Sequence, residues 1–173
     1  MTDWPSSGLP LRTIAADARS LAPAAFEARY ARAFLVWHRS LSISAKGPMR
    51  TRSASGDTGT GELVLVAFPV RRRPTSEHAF VAIGRLDGND IALFDETLSK
   101  FHAYVKEGPE RTFVIQDGKS RNGTSVDEVP VAPRGAGPPT LLKSGQMVRF
   151  GSVTTTFLDA SALVALAVRS TRP

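Results

Sequence analysis

Past residue 62, short runs of Val, Ile, Phe and Thr alternate with Gly, Pro, Asn and Asp at intervals of about ten residues, the pattern of an all-β sandwich or barrel. The runs predict strands over 63–70, 79–84, 91–94, 101–106, 112–116, 147–150 and 154–158. The clearest hairpin turns at Glu107, Gly108, Pro109 and Glu110, where Gly and Pro punctuate two β-prone runs. The stretch between Val131 and Thr140 is too rich in Pro and Gly for a central strand and reads as an exposed loop. Ahead of the strands the spacing changes: Phe26, Tyr30, Ala33, Phe34 and Trp37 share one face of a helix over 23–37, with Pro23 in its first turn. Glu27, Arg29 and Arg32 fall on the remaining surface, so the aromatic stripe is expected to pack against the rest of the chain; the alternative is a helix that docks on another protein. Residues 45–61 are small, polar and basic without periodicity and read as a linker or mobile loop. Beyond Asp159, residues 160–170 have the Ala and Leu content of a short helix. The expected organisation is therefore an N-terminal helical extension (1–44), a flexible linker (45–61), a β unit (62–159) and a C-terminal helix and tail (160–173).

Length narrows the choices. At 173 residues the chain accommodates one compact unit with extensions, and two full enzyme domains would not fit. With no cysteine there is neither a disulfide framework nor a thiolate metal site nor a cysteine nucleophile. The longest apolar stretches, 63–70 and 162–168, fall far short of the ~20 residues of a spanning helix. The first ten residues lack a basic region followed by an apolar one, so no membrane association and a cytoplasmic location are expected. A net charge of +6 favours anionic partners without choosing among nucleic acid, acidic lipid and phosphoprotein.

Catalytic chemistry finds few openings. His38, His78 and His102 are scattered, and none pairs with another ligand type at zinc spacing. Gly118, Lys119 and Ser120 look like the end of a phosphate-binding P-loop, but Phe113 stands where that motif needs glycine. Gly118, Ser120 and Asn122 miss the serine-hydrolase elbow because Asn122 replaces its last glycine. The expectation is a protein without catalytic residues, metal or cofactor.

Three short segments remain: Gly84-Arg85; Leu98-Ser99-Lys100-Phe101-His102-Ala103; and Asp117-Gly118-Lys119-Ser120-Arg121-Asn122-Gly123-Thr124. Each lies at the end of a predicted strand, so the three are placed to converge as loops at one end of a sandwich. Their order and spacing resemble the forkhead-associated (FHA) domain, whose pattern runs G-R, then S-x-x-H, then N-G-T with a preceding Asp. Downstream, Leu142 to Gln146 with Val148, Phe150 and Gly151 resembles the closing strands of that family around a turn glycine. Where the family commonly has a second Asn-Gly turn, this chain has Asp127-Glu128.

The resemblance implies an FHA-type β-sandwich of two sheets over 62–159, whose apical loops bind a phosphothreonine segment of another protein. On that reading Arg85 offers its guanidinium fork to the phosphate oxygens, Ser99 donates its hydroxyl, and Lys100 supplies a point charge where the family often has Arg. Asn122 faces the peptide backbone, and Arg121 is a supporting contact near the phosphate. His102 is given a structural role in holding the Ser99 loop, with Thr124 in the same supporting group. Gly84 and Gly123 are read as backbone devices that allow positive φ or close approach. The implied partners are phosphothreonine-containing proteins, a Ser/Thr kinase or its substrates. The alternative is a phospho-independent scaffold that uses a sandwich face or the N-terminal amphipathic helix. Nucleic-acid binding through Lys46, Arg50, Arg52 and Arg71 to Arg73 is disfavoured, because no aromatic-basic stacking motif accompanies the basic run. Thr51, Thr58 and Thr60 are candidate phosphorylation sites whose phosphate could occupy the chain's own loops.

Overall fold

The computed structural model describes residues 4–41 and 62–170. The expected linker and its threonines lie outside the described residues. The elements run β1 (Leu9–Pro10), α1 (Leu11–Ser20), α2 (Pro23–Arg29), β2 (Ala33–Leu41), β3 (Glu62–Pro69), β4 (Val81–Gly84), β5 (Ile91–Ala92), β6 (Ala103–Glu107), β7 (Phe113–Asp117), β8 (Thr124–Val126), β9 (Val129–Pro130), β10 (Thr140–Leu142), β11 (Met147–Phe150), β12 (Val153–Asp159) and α3 (Ala160–Ser170). Among the described residues the strands form one sheet in the order β1-β3-β2-β12-β11-β8-β9 and a second in the order β10-β7-β6-β4-β5. The expected two-sheet sandwich with helices at both ends is what forms. No described helix is long and apolar enough to cross a membrane.

The helix expected over 23–37 ends at Arg29, and Ala33–Leu41 is a strand between β3 and β12. The physical reason lies in two-sided burial. Leu35 and Trp37 point into the sandwich core, whereas Phe34 and Val36 point into a second cluster with the helices. A strand buried on both faces reads as an unbroken apolar run, which periodicity alone cannot separate from a helix. Part of the expected stripe still packs together. Phe26 stacks on Tyr30 with ring centroids 4.7 Å apart and meets Phe34 at 6.2 Å. Phe26 and Tyr30 are buried, so this stripe is covered by the chain itself.

A helix absent from the sequence reading, α1, buries Leu11, Ile14, Ala15 and Ala18 on one face. It packs against α3, which buries Leu163 and Ala167. Tyr30 donates to Asp17 at 2.7 Å, tying the end of α2 to α1. The chain thus builds three layers: helices, the larger sheet and the smaller sheet. The helices lie on the larger sheet.

Asp127 and Glu128, which stand at the family's Asn-Gly turn, both adopt positive φ (47° and 69°) between the paired residues Val126 and Val129. This two-residue hairpin loop has the left-handed twist of the Asn-Gly turn without its residues. The Asp127 carboxylate secures it by accepting from Met147 N–H at 2.9 Å and Gln146 Nε2 at 2.8 Å.

Because Leu35 is fully buried between the sheets, Leu35→Ala is expected to destabilise the chain by about 2–5 kcal/mol in urea denaturation. A loss under about 0.5 kcal/mol, the size of a surface substitution, would contradict the central place of β2.

Candidate functional site

Three chain segments meet where β4, β7 and β8 end or begin. Just past β4, Arg85 donates its backbone N–H to the Ser99 carbonyl at 3.0 Å. Gly84 makes this approach feasible: an added Cβ would stand 2.3 Å from the Lys100 carbonyl oxygen and 2.9 Å from Asn89 Nδ2. Here glycine supplies a missing side chain. At Gly123 it supplies backbone freedom instead, because φ is +73° and an added Cβ would meet nothing within 4 Å.

His102 is fully buried and uses both ring nitrogens. Nδ1 accepts the Ser99 N–H at 3.1 Å, and Nε2 lies 3.0 Å from the Gly123 carbonyl. An accepting Nδ1 fixes the proton on Nε2, so the neutral ring donates to Gly123 and links the second segment to the third. Burial pushes the imidazole below its ordinary pKa of 6.5, against the opposing pull of the Gly123 carbonyl and the Asp117 charge.

Asp117 closes β7 and winds the third segment around its carboxylate. It accepts from Ser120 N–H at 2.9 Å and from the hydroxyls of Ser120 and Thr124, each at 2.7 Å. Burial alone would raise its pKa; the hydroxyl bonds from Thr124 and Ser120, with the Ser120 N–H, outweigh that and hold it below 3.8. Ser120 Oγ in turn accepts the Gly123 N–H at 2.9 Å. The turn carries Arg121 and Asn122 outward, both exposed.

Arg121 donates its N–H to Ser99 Oγ at 3.0 Å. That bond uses a lone pair of the hydroxyl and leaves its proton available for donation. Asn122 differs from the expectation that its amide serves the peptide alone, since Nδ2 donates to the Thr97 carbonyl at 2.7 Å. Its Oδ1 and second N–H remain for an extended backbone. Lys100 is exposed, with its carbonyl held by Asn89 Nδ2 at 2.8 Å. The Arg85 side chain is half-buried, and its Nε is buried without a hydrogen-bond partner among the described residues.

All nine residues singled out from the sequence therefore belong to one loop cluster. Sequence reading missed Asn89, Thr97, Asp117 and Ser120 as supports. Asp117 and Ser120 carry a readable signal, a strand-ending Asp followed by a turn serine that forms a local side-chain cap. Asn89 carries none, because the carbonyls that it holds belong to Leu86 and, eleven residues on, Lys100.

The FHA domain family matches residues 81–151. Similar solved structures include an FHA domain from a study of phosphothreonine-dependent FHA interactions, 18% identical, covering 73% of this chain and 95% of that one with a TM-score of 0.46. The FHA domain of the CT664 protein from Chlamydia trachomatis is 19% identical, covering 73% of this chain and 97% of that one at 0.47. The yeast Dun1 FHA domain, solved with a doubly phosphorylated Rad53 peptide, is 20% identical and covers 76% of this chain and 77% of its own at 0.46. No curated protein matches the chain.

The buried neutral His102 yields a pH prediction. The folded-state pKa lies below 6.5, so as pH falls below about 6.5 the unfolded chain gains a proton that the native chain refuses, and stability drops. Melting temperature against pH should decline through this window in the wild type and flatten in His102→Gln. An equally steep decline in the variant would contradict the assignment. The FHA family match spans residues 81–151, the stretch that contains all three converging segments.

Proposed function

We propose that the chain is a non-enzymatic adaptor that captures phosphothreonine-containing proteins in cytoplasmic serine/threonine kinase signalling. The observation that carries this reading is the double tie at Ser99, whose carbonyl accepts from Arg85 N–H and whose hydroxyl accepts from Arg121 N–H, each at 3.0 Å. Those two bonds fix the backbones of Arg85 and Arg121 against Ser99, with Lys100 next to Ser99 in the chain. The FHA match supplies the partner chemistry, and the buried Arg85 Nε without a partner among the described residues is a donor suited to an incoming oxyanion.

By role, Arg85 forks the phosphate oxygens, Ser99 donates its hydroxyl, Lys100 adds charge, and Arg121 contributes near the phosphate. Asn122 aligns the backbone beside the phosphothreonine. A phosphothreonine carries about −1.5 to −2 charges, and each hydrogen bond to a charged group contributes roughly 1.5–3 kcal/mol. Three or four such bonds, offset by the cost of association, correspond to micromolar affinity, near −8 kcal/mol. Binding of this strength is reversible, which suits control by a kinase and a phosphatase. The extra methyl of phosphothreonine over phosphoserine accounts for about 0.8 kcal/mol, or fourfold.

Arg85→Ala should weaken binding of a phosphothreonine peptide by at least about tenfold in calorimetric titration, with an unchanged circular dichroism spectrum. Undiminished affinity in a folded variant would refute the site.

A further inference from the structure

Beyond the loops, the outer face of the smaller sheet carries an aromatic cluster that the phosphate-binding role leaves unused. Phe80 stacks on His78 with centroids 4.8 Å apart and meets Tyr104 at 4.6 Å. Phe101 sits at the hub, 6.0 Å from Phe80, 6.3 Å from Tyr104 and 6.4 Å from His78. His78 is exposed, Phe80 and Phe101 are half-buried and Tyr104 is buried beneath them, so three of the rings reach solvent. Single exposed apolar residues are ordinary; a contiguous group of rings marks a contact surface. The buried Tyr104 ring backs Phe80 and Phe101, and its hydroxyl is committed to Gln116 Oε1 at 3.0 Å.

The patch begins inside the candidate site. Phe101 lies between Lys100 and His102 in the loop that carries Ser99, and its ring rests on the third segment at Gly118, where an added Cβ would come within 2.6 Å of Phe101 Cε1. This explains the glycine that ends the failed P-loop match: it makes room for the ring joining the loops to the sheet face. The frame is basic, with Lys100 on the loop side and Lys106 Nζ 5.5 Å from the Tyr104 ring centroid.

The occupant follows from these features. The chain's helices cover the other sheet, and residues 42–61 contain no aromatic residue to lay on the rings. A second copy placed symmetrically on this face would set its basic frame against itself, an unfavourable pairing of like charges. Resting on the functional reading above, we propose that the aromatic face binds the polypeptide flanking the phosphothreonine in the same partner. It selects partners with an aromatic or long aliphatic residue beside acidic ones. The phosphate supplies the switch, and the sheet face supplies partner identity.

Two probes separate the readings: a short alanine-rich peptide with a central phosphothreonine, and the same core extended at both ends with Trp and Glu. By fluorescence anisotropy, the wild type should bind the extended probe about tenfold more tightly than the short one. The double substitution His78→Ala with Phe80→Ala should cut this advantage to under about threefold while leaving the short probe's affinity near wild type. Lys106→Glu, at an exposed position, should likewise weaken only the extended probe, without depending on repacking of the rings. Equal wild-type affinities for the two probes, or a full length advantage in both variants, would overturn the inference while leaving phosphate capture intact. Retention of the extended probe after its phosphate is removed would also overturn it, since the face would then act alone. Failure of the short probe to bind in a phosphate-dependent way would overturn the functional reading and this inference with it.

Discussion

A buried imidazole with one nitrogen accepting and the other donating is the constraint on which the loop end of this protein depends. His102 joins the Ser99 amide to the Gly123 carbonyl, so the second and third loops cannot move independently without leaving a polar group unpaired in the interior. Arg85 is tied to the same unit through its backbone bond to Ser99. Asp117 performs the matching task for the third loop, holding Ser120 and Thr124 at once. The outward-facing groups gain fixed positions from the buried side chains behind them. Such preorganisation lowers the ordering cost that the proposed binding would carry.

The site was more legible than the framework that supports it. Gly84, Arg85, Ser99, His102, Asn122 and Gly123 could be picked out because they stand in short segments at strand ends whose order resembles the FHA pattern. The strand over Met147–Phe150 and the helix over Ala160–Ser170 were equally plain, having uniform residue preferences and clear boundaries. β2 was not, because its aromatic residues satisfy a helical spacing while both its faces are buried. β8, β9 and β10 span only two or three residues each, too few for a period to register. The aromatic face was invisible for a different reason. Phe80 lies more than twenty residues ahead of Phe101 and Tyr104 and meets them through the pairing of β4 with β6.

The charge balance also takes on a different meaning once positions are known. The run Arg71 to Arg73 looked like a basic patch, yet Arg72 donates to the His78 carbonyl at 2.8 Å and Arg73 to the Asp87 carbonyl at 2.9 Å. The Arg73 backbone is further held by Asp90 at 2.7 Å. These arginines brace the connection between β3 and β4, which weakens their reading as a nucleic-acid surface. Arg32 and Arg111 are similarly engaged, with Glu107 and Glu27 respectively. Positive charge at Arg85, Lys100 and Arg121 stands apart, at the loop end, beside groups already arranged to donate.

The most direct test of the central claim is a backbone amide NMR titration of the full chain with a phosphothreonine peptide and its unphosphorylated twin. The account predicts phosphate-dependent shifts concentrated at Arg85, Ser99, Lys100, Arg121 and Asn122, with His102 responding through its bond to Ser99. Shifts that appear equally with both peptides, or that gather around Arg71 to Arg73 and leave the three loops unmoved, would contradict it.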